Sequence, residues 1–585
     1  MKKWITLPVA EYTPDMPDYN NPGSTNIRNC IPRTSDSYGP MSNLSSFSNA
    51  IAARVQGAIS VTDSSANSYT FAGTATNLYK FTSSSLTAET VSNGTNPYSC
   101  PSDGQWNFEF MGQRVIAIDG ADAMQSYILN SSTDFGDLAN GGVLTLVITT
   151  PGTLYTNGTD YALTATGGGG SGFAGLVDVA GGAFTNPRIT TPGTGYTSVP
   201  TIVLPAGAGA GSGTAVITAT VAYIAPKAKY GAIVKNFLMV ANTNDGTQQV
   251  QRVWWSGLND PTSWPTPGTA SAAIVQSSYN DLFGNYGPIT GIVGALGTAD
   301  GAIFFERAVF RVVYAGPPVT FNFFPCERIR GTVAPNSIVH RGLFVDYLGE
   351  DGFYTFDGTN SKPIGVNKVD KTFYADFDQS YPDRVYGTAD PVNRMTFWAY
   401  PGQGNSSGTP NRLLVYNWVL DRFSVCDLPD GLEYLFRSIT FGYTLNTMPG
   451  GTLNQIQFPL NSRVWVGGGI VLSAFDTNHK LGYFNGASLA PTIETSEQAP
   501  FDPMISYVTD ARPLVDGGTP SVALATRNRL IDGFSFNTPT AINSIGTCPQ
   551  ISNGRYVRGQ TTLMAGDSWT HFQGVQLYCN PNGMQ

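Results

Sequence analysis

The chain has 585 residues and a formal net charge of −9, and 12% of its residues are charged while another 12% are aromatic. Disordered chains are rich in charge and poor in aromatic residues, so this composition excludes a largely disordered protein. The acidic balance argues against a surface that grips nucleic acid, but it allows a channel through which DNA slides without sticking. The length predicts two to four domains or one large repeat architecture.

Residues 1–55 form the first predicted segment, and they are rich in Pro, Asn, Ser and Gly. Such a composition favours turns and extended chain over a packed core. The apolar run of the opening "MKKWITLPVAEYTPD" is short and broken by proline, so it is not typical of a signal peptide. We therefore expect an extended N-terminal arm with little core of its own.

From residue 56 onward the chain reads as short strands separated by turns. Runs of β-branched and aromatic residues are bounded by Gly, Asn or Asp, as in "SYTFAG", "NLYKFT", "AIVKNFLMVAN", "VFRVVYAG", "FYTFDG" and "RLLVYNWV". Long amphipathic helical stretches are absent from the sequence. The prediction is an all-β protein.

An aromatic residue recurs in the same local context, followed by a polar turn, at Tyr79, Tyr127, Trp254, Phe310, Tyr354, Tyr416 and Tyr483. Neighbouring members are 44 to 67 residues apart, except for a gap of 127 between Tyr127 and Trp254. Strand sets with a period of about 40–50 residues are typical of propeller blades. We predict a β-propeller of six or seven blades over residues 56–140 and 224–500. The alternative is a multi-sheet β protein in which these aromatics are simply core.

The long gap contains a duplication over residues 141–223. "ITTPGTLYT" from Ile148 returns as "ITTPGTGYT" from Ile189, and the two copies align at an offset of 41 residues. Each copy predicts a strand, a turn, a second strand and a strip of small residues that allows close backbone approach. The strip lacks the Lys-Ser/Thr of a phosphate loop. We expect a two-repeat β appendage that contacts a neighbour or a fibre; the alternative is a tolerated loop insertion without a role.

Residues 501–585 contain long alternating runs and predict a C-terminal β domain that packs on the propeller or completes it. The six cysteines show no metal-like spacing, so we expect free thiols. Cys548 and Cys579 share this terminal segment, and the sequence leaves open whether they are bridged.

Residue patterns for catalysis are weak. His340, His479 and His571 are far apart, and no metalloprotease, nucleophile-elbow or zinc motif is present. A depolymerase would need two carboxylates across a groove, and the nearest candidates are Glu350, Asp351 and the group Asp370, Asp376, Asp378 and Asp383. Acids in such loops more often form turns or caps. We therefore expect no enzyme, and we assign no catalytic, cofactor-binding or metal-binding residues.

Five stretches resemble a family of bacteriophage and prophage virion proteins. They are "DYNNPGSTNIRNCIPRTSDSYGP" (18–40), "VWWSGLNDPTSW" (253–264), "GAIFFERAVFRVVYAGPP" (301–318), "YLGEDGFYTFDGTNSKPIG" (347–365) and "RLLVYNWVLDRFS" (412–424). The chain is similar to the tail-tube or packaged-DNA-stabilisation proteins of short-tailed phages. The resemblance implies a β-propeller subunit of a hexameric nozzle, without catalytic residues. The 141–223 segment departs from the shorter family pattern.

From this resemblance we expect a virion tail protein, assembled in the host cytoplasm, without a cofactor. Its expected partners are copies of itself in a ring, the portal and adaptor proteins, tail fibre or spike proteins, and double-stranded DNA that passes through the lumen without tight binding. Exposed aromatics such as Trp254 and Trp264 could anchor the ring interface, although both could instead be propeller core, which is the favoured interpretation for Trp254. The alternative function is a receptor-binding or glycan-binding propeller at the tail periphery.

Overall fold

The computed structural model describes residues 3–18, 21–82, 85–92, 97–139, 141–196, 198–221, 224–441 and 467–583. The chain divides into two compact units, unit 1 with Met1–Thr90 and Arg330–Gln585 and unit 2 with Val91–Ile329. Nearly all of the regular structure is antiparallel strand, so the all-β prediction is confirmed.

Unit 1 begins with nine strands. They are β1 (Lys3–Pro8), β2 (Ile27–Arg28), β3 (Cys30–Thr34), β4 (Ser37–Pro40), β5 (Ser42–Ser46), β6 (Gly57–Thr62), β7 (Ser68–Gly73), β8 (Leu78–Thr82) and β9 (Ser85–Thr90). The last four form one antiparallel sheet in chain order.

Among its described residues, unit 2 contains one short helix, α1 (Ala270–Val275), and eighteen strands. The strands are β10 (Asn107–Met111), β11 (Arg114–Ile118), β12 (Gln125–Ile128), β13 (Gly136–Asp137), β14 (Val143–Thr150), β15 (Gly158–Thr166), β16 (Ser171–Ala180), β17 (Ala183–Thr194), β18 (Thr201–Val203), β19 (Val216–Val221), β20 (Lys227–Val234), β21 (Phe237–Asn244), β22 (Gln248–Trp255), β23 (Ser278–Asp281), β24 (Ile289–Gly294), β25 (Gly301–Phe305), β26 (Val309–Gly316) and β27 (Thr320–Glu327). Strands β10–β13, β20–β23 and β24–β27 form three four-stranded sheets in chain order.

The rest of unit 1 contains helix α2 (Asp370–Asp376) and the remaining strands. These are β28 (Val339–His340), β29 (Val345–Leu348), β30 (Phe353–Phe356), β31 (Ser361–Pro363), β32 (Tyr386–Asp390), β33 (Met395–Tyr400), β34 (Arg412–Asn417), β35 (Arg422–Asp427), β36 (Tyr434–Ile439), β37 (Ile470–Phe475), β38 (Leu481–Ser488), β39 (Thr492–Glu494), β40 (Ser506–Val515), β41 (Ser521–Arg527), β42 (Thr540–Ala541), β43 (Cys548–Gly554), β44 (Tyr556–Thr562) and β45 (Phe572–Pro581). Strands β28–β31 and β32–β35 also pair in chain order within their sheets. Strands β36–β38 form a four-stranded sheet in which β5 is the fourth strand.

The recurring aromatics mark the same position in every one of these strand sets. Each lies on the third strand of its set, namely Tyr79 on β8, Tyr127 on β12, Trp254 on β22, Phe310 on β26, Tyr354 on β30, Tyr416 on β34 and Tyr483 on β38. A third strand has a neighbour on both edges, and large side chains suit such an interior position. The periodicity in the sequence therefore corresponds to a repeated four-stranded antiparallel unit.

One predicted strand is a hairpin. The run "AIVKNFLMVAN" is divided between β20 and β21 by a turn at Lys235 and Asn236, whose φ angles are 47° and 65°. Two consecutive residues with positive φ match the two-residue turn that suits the twist of a hairpin. The polar pair Lys235 and Asn236 inside this apolar run is the sequence signal of the turn.

Residues 1–55 differ from the expected extended arm. Strand β1 pairs with β45, β3 and β4 join the same sheet, and β5 pairs with β38. Leu7, Ile27 and Tyr38 have no solvent exposure and belong to the main buried cluster of unit 1. The segment has no separate core because its strands complete sheets whose other members lie hundreds of residues away.

The C-terminal strands form two sheets that share this buried cluster. One sheet has the order β3-β4-β45-β40-β43, and the other continues from β35 through β2, β39, β44 and β41 to β42. Cys548 and Cys579 lie on the strands on either side of β40 and are not bridged. Two strand spacings, about 9.6 Å, exceed the Cα separation that a disulfide allows. None of the six cysteines forms a disulfide, as expected.

The duplicated segment folds around its own buried cluster, whose members all lie between Val143 and Val221. Its two copies exchange strands. The third strand of the first copy, β16, pairs with the first strand of the second copy, β17, and β19 pairs with β14 in the reciprocal way.

Two hydrogen bonds demonstrate this internal two-fold relation. The Tyr155 amide donates to the Gly182 carbonyl at 3.0 Å, and the Tyr196 amide donates to the Gly141 carbonyl at 3.0 Å. Adding the 41-residue offset to Tyr155 gives Tyr196, and subtracting it from Gly182 gives Gly141. The duplication therefore builds one pseudosymmetric module, which we call the insert module (residues 141–223).

Candidate functional site

The three histidines lie in separate places and do not form a site together. His479 Nδ1 lies 2.8 Å from Glu433 Oε1, and the other oxygen of that carboxylate accepts the Val55 amide at 3.0 Å. His571 Nδ1 lies 2.9 Å from the Ser37 hydroxyl. His340 is exposed at the end of β28. The contacts of His479 and His571 therefore tie together segments from distant parts of the chain.

The candidate acids are mostly held in local structural contacts. Asp351 accepts a hydrogen bond from the Tyr354 hydroxyl, and Asp376 accepts one from the Tyr400 hydroxyl. Asp378 accepts the Asn405 side-chain amide and the Ser380 backbone amide, which is the turn-forming role that the sequence favours. Among the described residues, no group of three or more His, Cys, Asp or Glu side chains could hold a metal ion.

Asp370 differs from the other acids because it is buried at the start of helix α2. Its Oδ1 accepts the Phe353 amide at 3.1 Å, whereas its Oδ2 has no hydrogen-bond partner among the described residues. Burial raises the pKa of Asp370 to about 6, and the negative charges of Asp15 and Asp351 act in the same direction. Below about pH 6 the folded protein therefore holds Asp370 mainly as the protonated acid.

This raised pKa predicts a pH dependence of stability. An acid whose pKa is raised on folding stabilises the fold while it is protonated in both states, and that stabilisation is lost as pH rises from about 4 to about 6. Asp370→Asn should remove this loss and leave the protein at pH 7 more stable by about 1–3 kcal/mol. Urea denaturation at several pH values in this range measures the free energy of unfolding of the native protein and the variant. Asp378→Asn is the control and should keep the native slope; an unchanged slope in Asp370→Asn would refute the assignment.

The two tryptophans proposed as exposed anchors have different environments. Trp264 is 1% exposed and its Nε1 donates to the Pro261 carbonyl at 2.7 Å, so the prediction of an exposed anchor is wrong for this residue. The indole is buried in a hydrophobic cluster with residues such as Leu238 and Val240. Trp254 is half-buried on β22 and packs against the hydrophobic cluster that contains Trp264.

Both tryptophans line a cavity of about 630 Å³ in unit 2. The cavity lies between three chain segments, the start of β20, the turn from β21 to β22 and the loop after Trp264, and its lining residues are Ile224, Ala225, Pro226, Lys227, Asn244, Asp245, Gly246, Trp254, Trp264, Thr266 and Pro267. Cavities of this size commonly hold small ligands. This is the candidate site of the molecule.

The wall around Trp254 is held by an ion-pair network. Arg252 makes two hydrogen bonds to Asp281, at 2.7 and 2.9 Å, and a third to Asp245 at 3.0 Å. Its guanidinium lies 4.1 Å from the centre of the Tyr279 ring, which in turn contacts the Trp254 ring at 5.5 Å. These contacts link β22 to β23 and fix the position of Asp245 on the rim.

Sequence reasoning identified both tryptophans but none of the polar residues around the cavity. Asn244 and Asp245 lie in a hairpin turn, and Thr266 lies in a proline-rich loop. Residues of these types are common in any turn, so no sequence signal distinguishes them. Only the folded arrangement brings the three segments together.

The fold and the cavity define an all-β protein of repeated four-stranded sheets. No family model matches the chain, and no curated protein matches it. Among solved structures, Hsv2p of Kluyveromyces lactis is 8% identical with a TM-score of 0.23, over 64% of this chain and 100% of that chain. A further Kluyveromyces lactis Hsv2 structure is 7% identical with a TM-score of 0.24, over 65% of this chain and 100% of that chain. A puromycin-hydrolyzing peptidase of Mycobacterium tuberculosis is 12% identical with a TM-score of 0.22, over 61% of this chain and 55% of that chain. Similarity at such low TM-scores and sequence identities supports no conclusion about this chain.

Proposed function

We propose that the protein is a structural component of a bacteriophage virion. In this proposal six copies form a nozzle or tube below the portal and adaptor proteins, where they retain packaged DNA and conduct it on ejection. The observation that carries it is the distribution of the phage-like stretches. Those at 253–264, 301–318, 347–365 and 412–424 lie in four different strand sets, so the resemblance extends across the framework rather than being limited to one motif.

The proposed fold is a β-propeller with the strand sets as its blades. The support is the sevenfold recurrence of a third-strand aromatic, together with the set β36–β38, which β5 completes. A sheet that combines strands from distant parts of the chain is the expected way to close a ring of blades. Seven strand sets favour the upper end of the six or seven blades predicted from the sequence.

The proposed passage of DNA agrees with the charge of the chain. A net charge of −9 repels phosphate over a lumen, which lets DNA slide without tight binding. The expected lining is acidic or neutral. The proposal assigns no enzymatic activity or cofactor, and it places the protein in the virion tail after assembly in the host cytoplasm.

We expect the insert module to contact a neighbouring subunit or a tail fibre through exposed apolar side chains. Arg188 pairs with Asp178 at 2.8 Å on one half of the module, while the position related to Arg188 by the duplication is Val147. Val147 is 53% exposed, and Leu144 and Leu154 are more exposed still. A partner that covers these side chains would remove their apolar surface from water.

The test is the mass of the purified protein in solution, measured by light scattering alone and with its adaptor ring. We expect a six-fold mass, or a monomer that becomes six-fold on the ring. A trimer, or a monomer that ignores the ring, would contradict the nozzle and favour the alternative of a receptor-binding or glycan-binding propeller at the tail periphery.

A further inference from the structure

The cavity beside Trp254 combines an apolar wall with a polar rim. The wall is formed mainly by Trp254 with Ala225, Pro226 and Pro267, because Trp264 behind them is only 1% exposed, and the rim carries Asn244, Asp245, Lys227 and Thr266. Ligand cavities are typically apolar with a few placed polar groups, and they measure about 300–1,000 Å³. Both its volume and its lining fit a small ligand.

The rim groups restrict the chemistry of that ligand. They comprise one carboxylate, one ammonium, one amide and one hydroxyl, so the rim offers donors and acceptors with no net charge. An anionic ligand would face the Asp245 carboxylate with Lys227 as its only cationic partner on the rim. A purely apolar ligand would strip water from the rim without replacing its hydrogen bonds, which is costly.

The apolar wall restricts the chemistry of the ligand further. An indole presents a face of negative charge density, against which the weakly positive C–H groups of a sugar ring pack well. The hydroxyls of the same ring both donate and accept hydrogen bonds, as the rim requires. A neutral sugar therefore satisfies both parts of the cavity at once.

The cavity is also preorganised. Asp245 is fixed by Arg252, whose stronger contacts to Asp281 and Tyr279 lie outside the cavity lining. A rim group that is already held in place loses little conformational freedom when a ligand binds.

We propose that this cavity binds one residue of a neutral saccharide, with Trp254 as the packing surface and Asn244 and Asp245 as hydrogen-bond partners. The site belongs to unit 2 alone. The inference does not rest on the nozzle, because a sugar site is compatible with a ring or with a peripheral position in the tail.

The test is titration of the full-length protein with lactose, maltose, cellobiose and N,N′-diacetylchitobiose, followed by tryptophan fluorescence and saturation-transfer NMR. We expect at least one of them to bind with a Kd of about 1 mM, a value usual for a single shallow subsite. Sialyllactose, which adds a negative charge, should bind more weakly than lactose.

Two variants and a control make the result specific. Trp254→Ala should abolish binding, and Asn244→Ala, on the rim, should weaken it about tenfold, which corresponds to about 1.4 kcal/mol. Phe283→Ala is the control, because this aromatic side chain of unit 2 is 79% exposed and lies outside the cavity lining. Failure of all four sugars to bind, tighter binding of sialyllactose than of lactose, or full binding by Asn244→Ala would overturn the proposal. None of these outcomes changes the mass that tests the nozzle.

Discussion

Replacing Asp346 with alanine is expected to destabilise unit 1 by about 3–5 kcal/mol, because it removes one partner of a buried ion pair. Asp346 has no solvent exposure and accepts hydrogen bonds from Arg341 Nε at 2.8 Å, the Thr355 hydroxyl at 2.6 Å and the Thr396 hydroxyl at 2.8 Å. Without the carboxylate, the guanidinium and both hydroxyls lose their acceptor in a dry environment. The network joins β29, β30 and β33, so its loss should loosen two neighbouring strand sets.

The measurement is the shift of the urea midpoint followed by circular dichroism. Arg529→Ala is the matched control, because Arg529 pairs with Asp532 at the surface, where its side chain is 72% exposed. Exposed pairs contribute about 0–1 kcal/mol, so this variant should unfold close to the native midpoint. Equal midpoints for the two variants would mean that the buried network does not stabilise the unit.

Removing residues 142–222 and joining the ends with two glycines is expected to leave the remaining chain folded. Val143 and Val221 are partners at the base of the insert module, so the chain enters and leaves the module at neighbouring positions about 4.5–5.5 Å apart. The buried cluster of the module takes no residue from outside it. The released segment 141–223 should accordingly fold alone and melt cooperatively.

Circular dichroism and limited proteolysis of both products test this expectation. As a control, removal of residues 227–255 should leave an aggregated product, because Val234, Phe237 and Trp255 belong to a cluster shared with β24–β27. If the chain without its insert aggregates as the control does, or the isolated segment lacks a melting transition, the module is not independent.

The local patterns of the sequence predicted the class of structure because strand interiors and turns leave strong local signals. Phe310, Tyr354 and Tyr416 each lie in a third strand flanked on both edges, where burial requires large or branched residues. That requirement repeats in every strand set, and the repeat is visible without knowing which strands pair.

Pairings between distant segments left no comparable signal. Strand β2 has only two residues, Ile27 and Arg28, yet it connects β35 to β39. In the insert module the two copies are so alike that pairing within a copy and pairing between copies satisfy the same residue pattern. The reciprocal exchange of β16 and β19 could therefore be learned only from the fold.

The candidate site was predictable only in part, for a related reason. Trp254 and Trp264 were both visible as large aromatics, but their exposure depends on tertiary packing, which buries Trp264 and leaves Trp254 half-buried. Asn244 and Asp245 carry no pattern beyond that of a hairpin turn. A cavity formed by three separate segments has no signature in any one of them.

Electron microscopy of the purified protein mixed with its candidate adaptor ring tests the proposed nozzle most directly. Class averages viewed along the axis should contain six copies around an open channel, with the insert module at the outer edge or between subunits. Averages with three-fold symmetry, or particles that stay single beside an unoccupied ring, would contradict the nozzle.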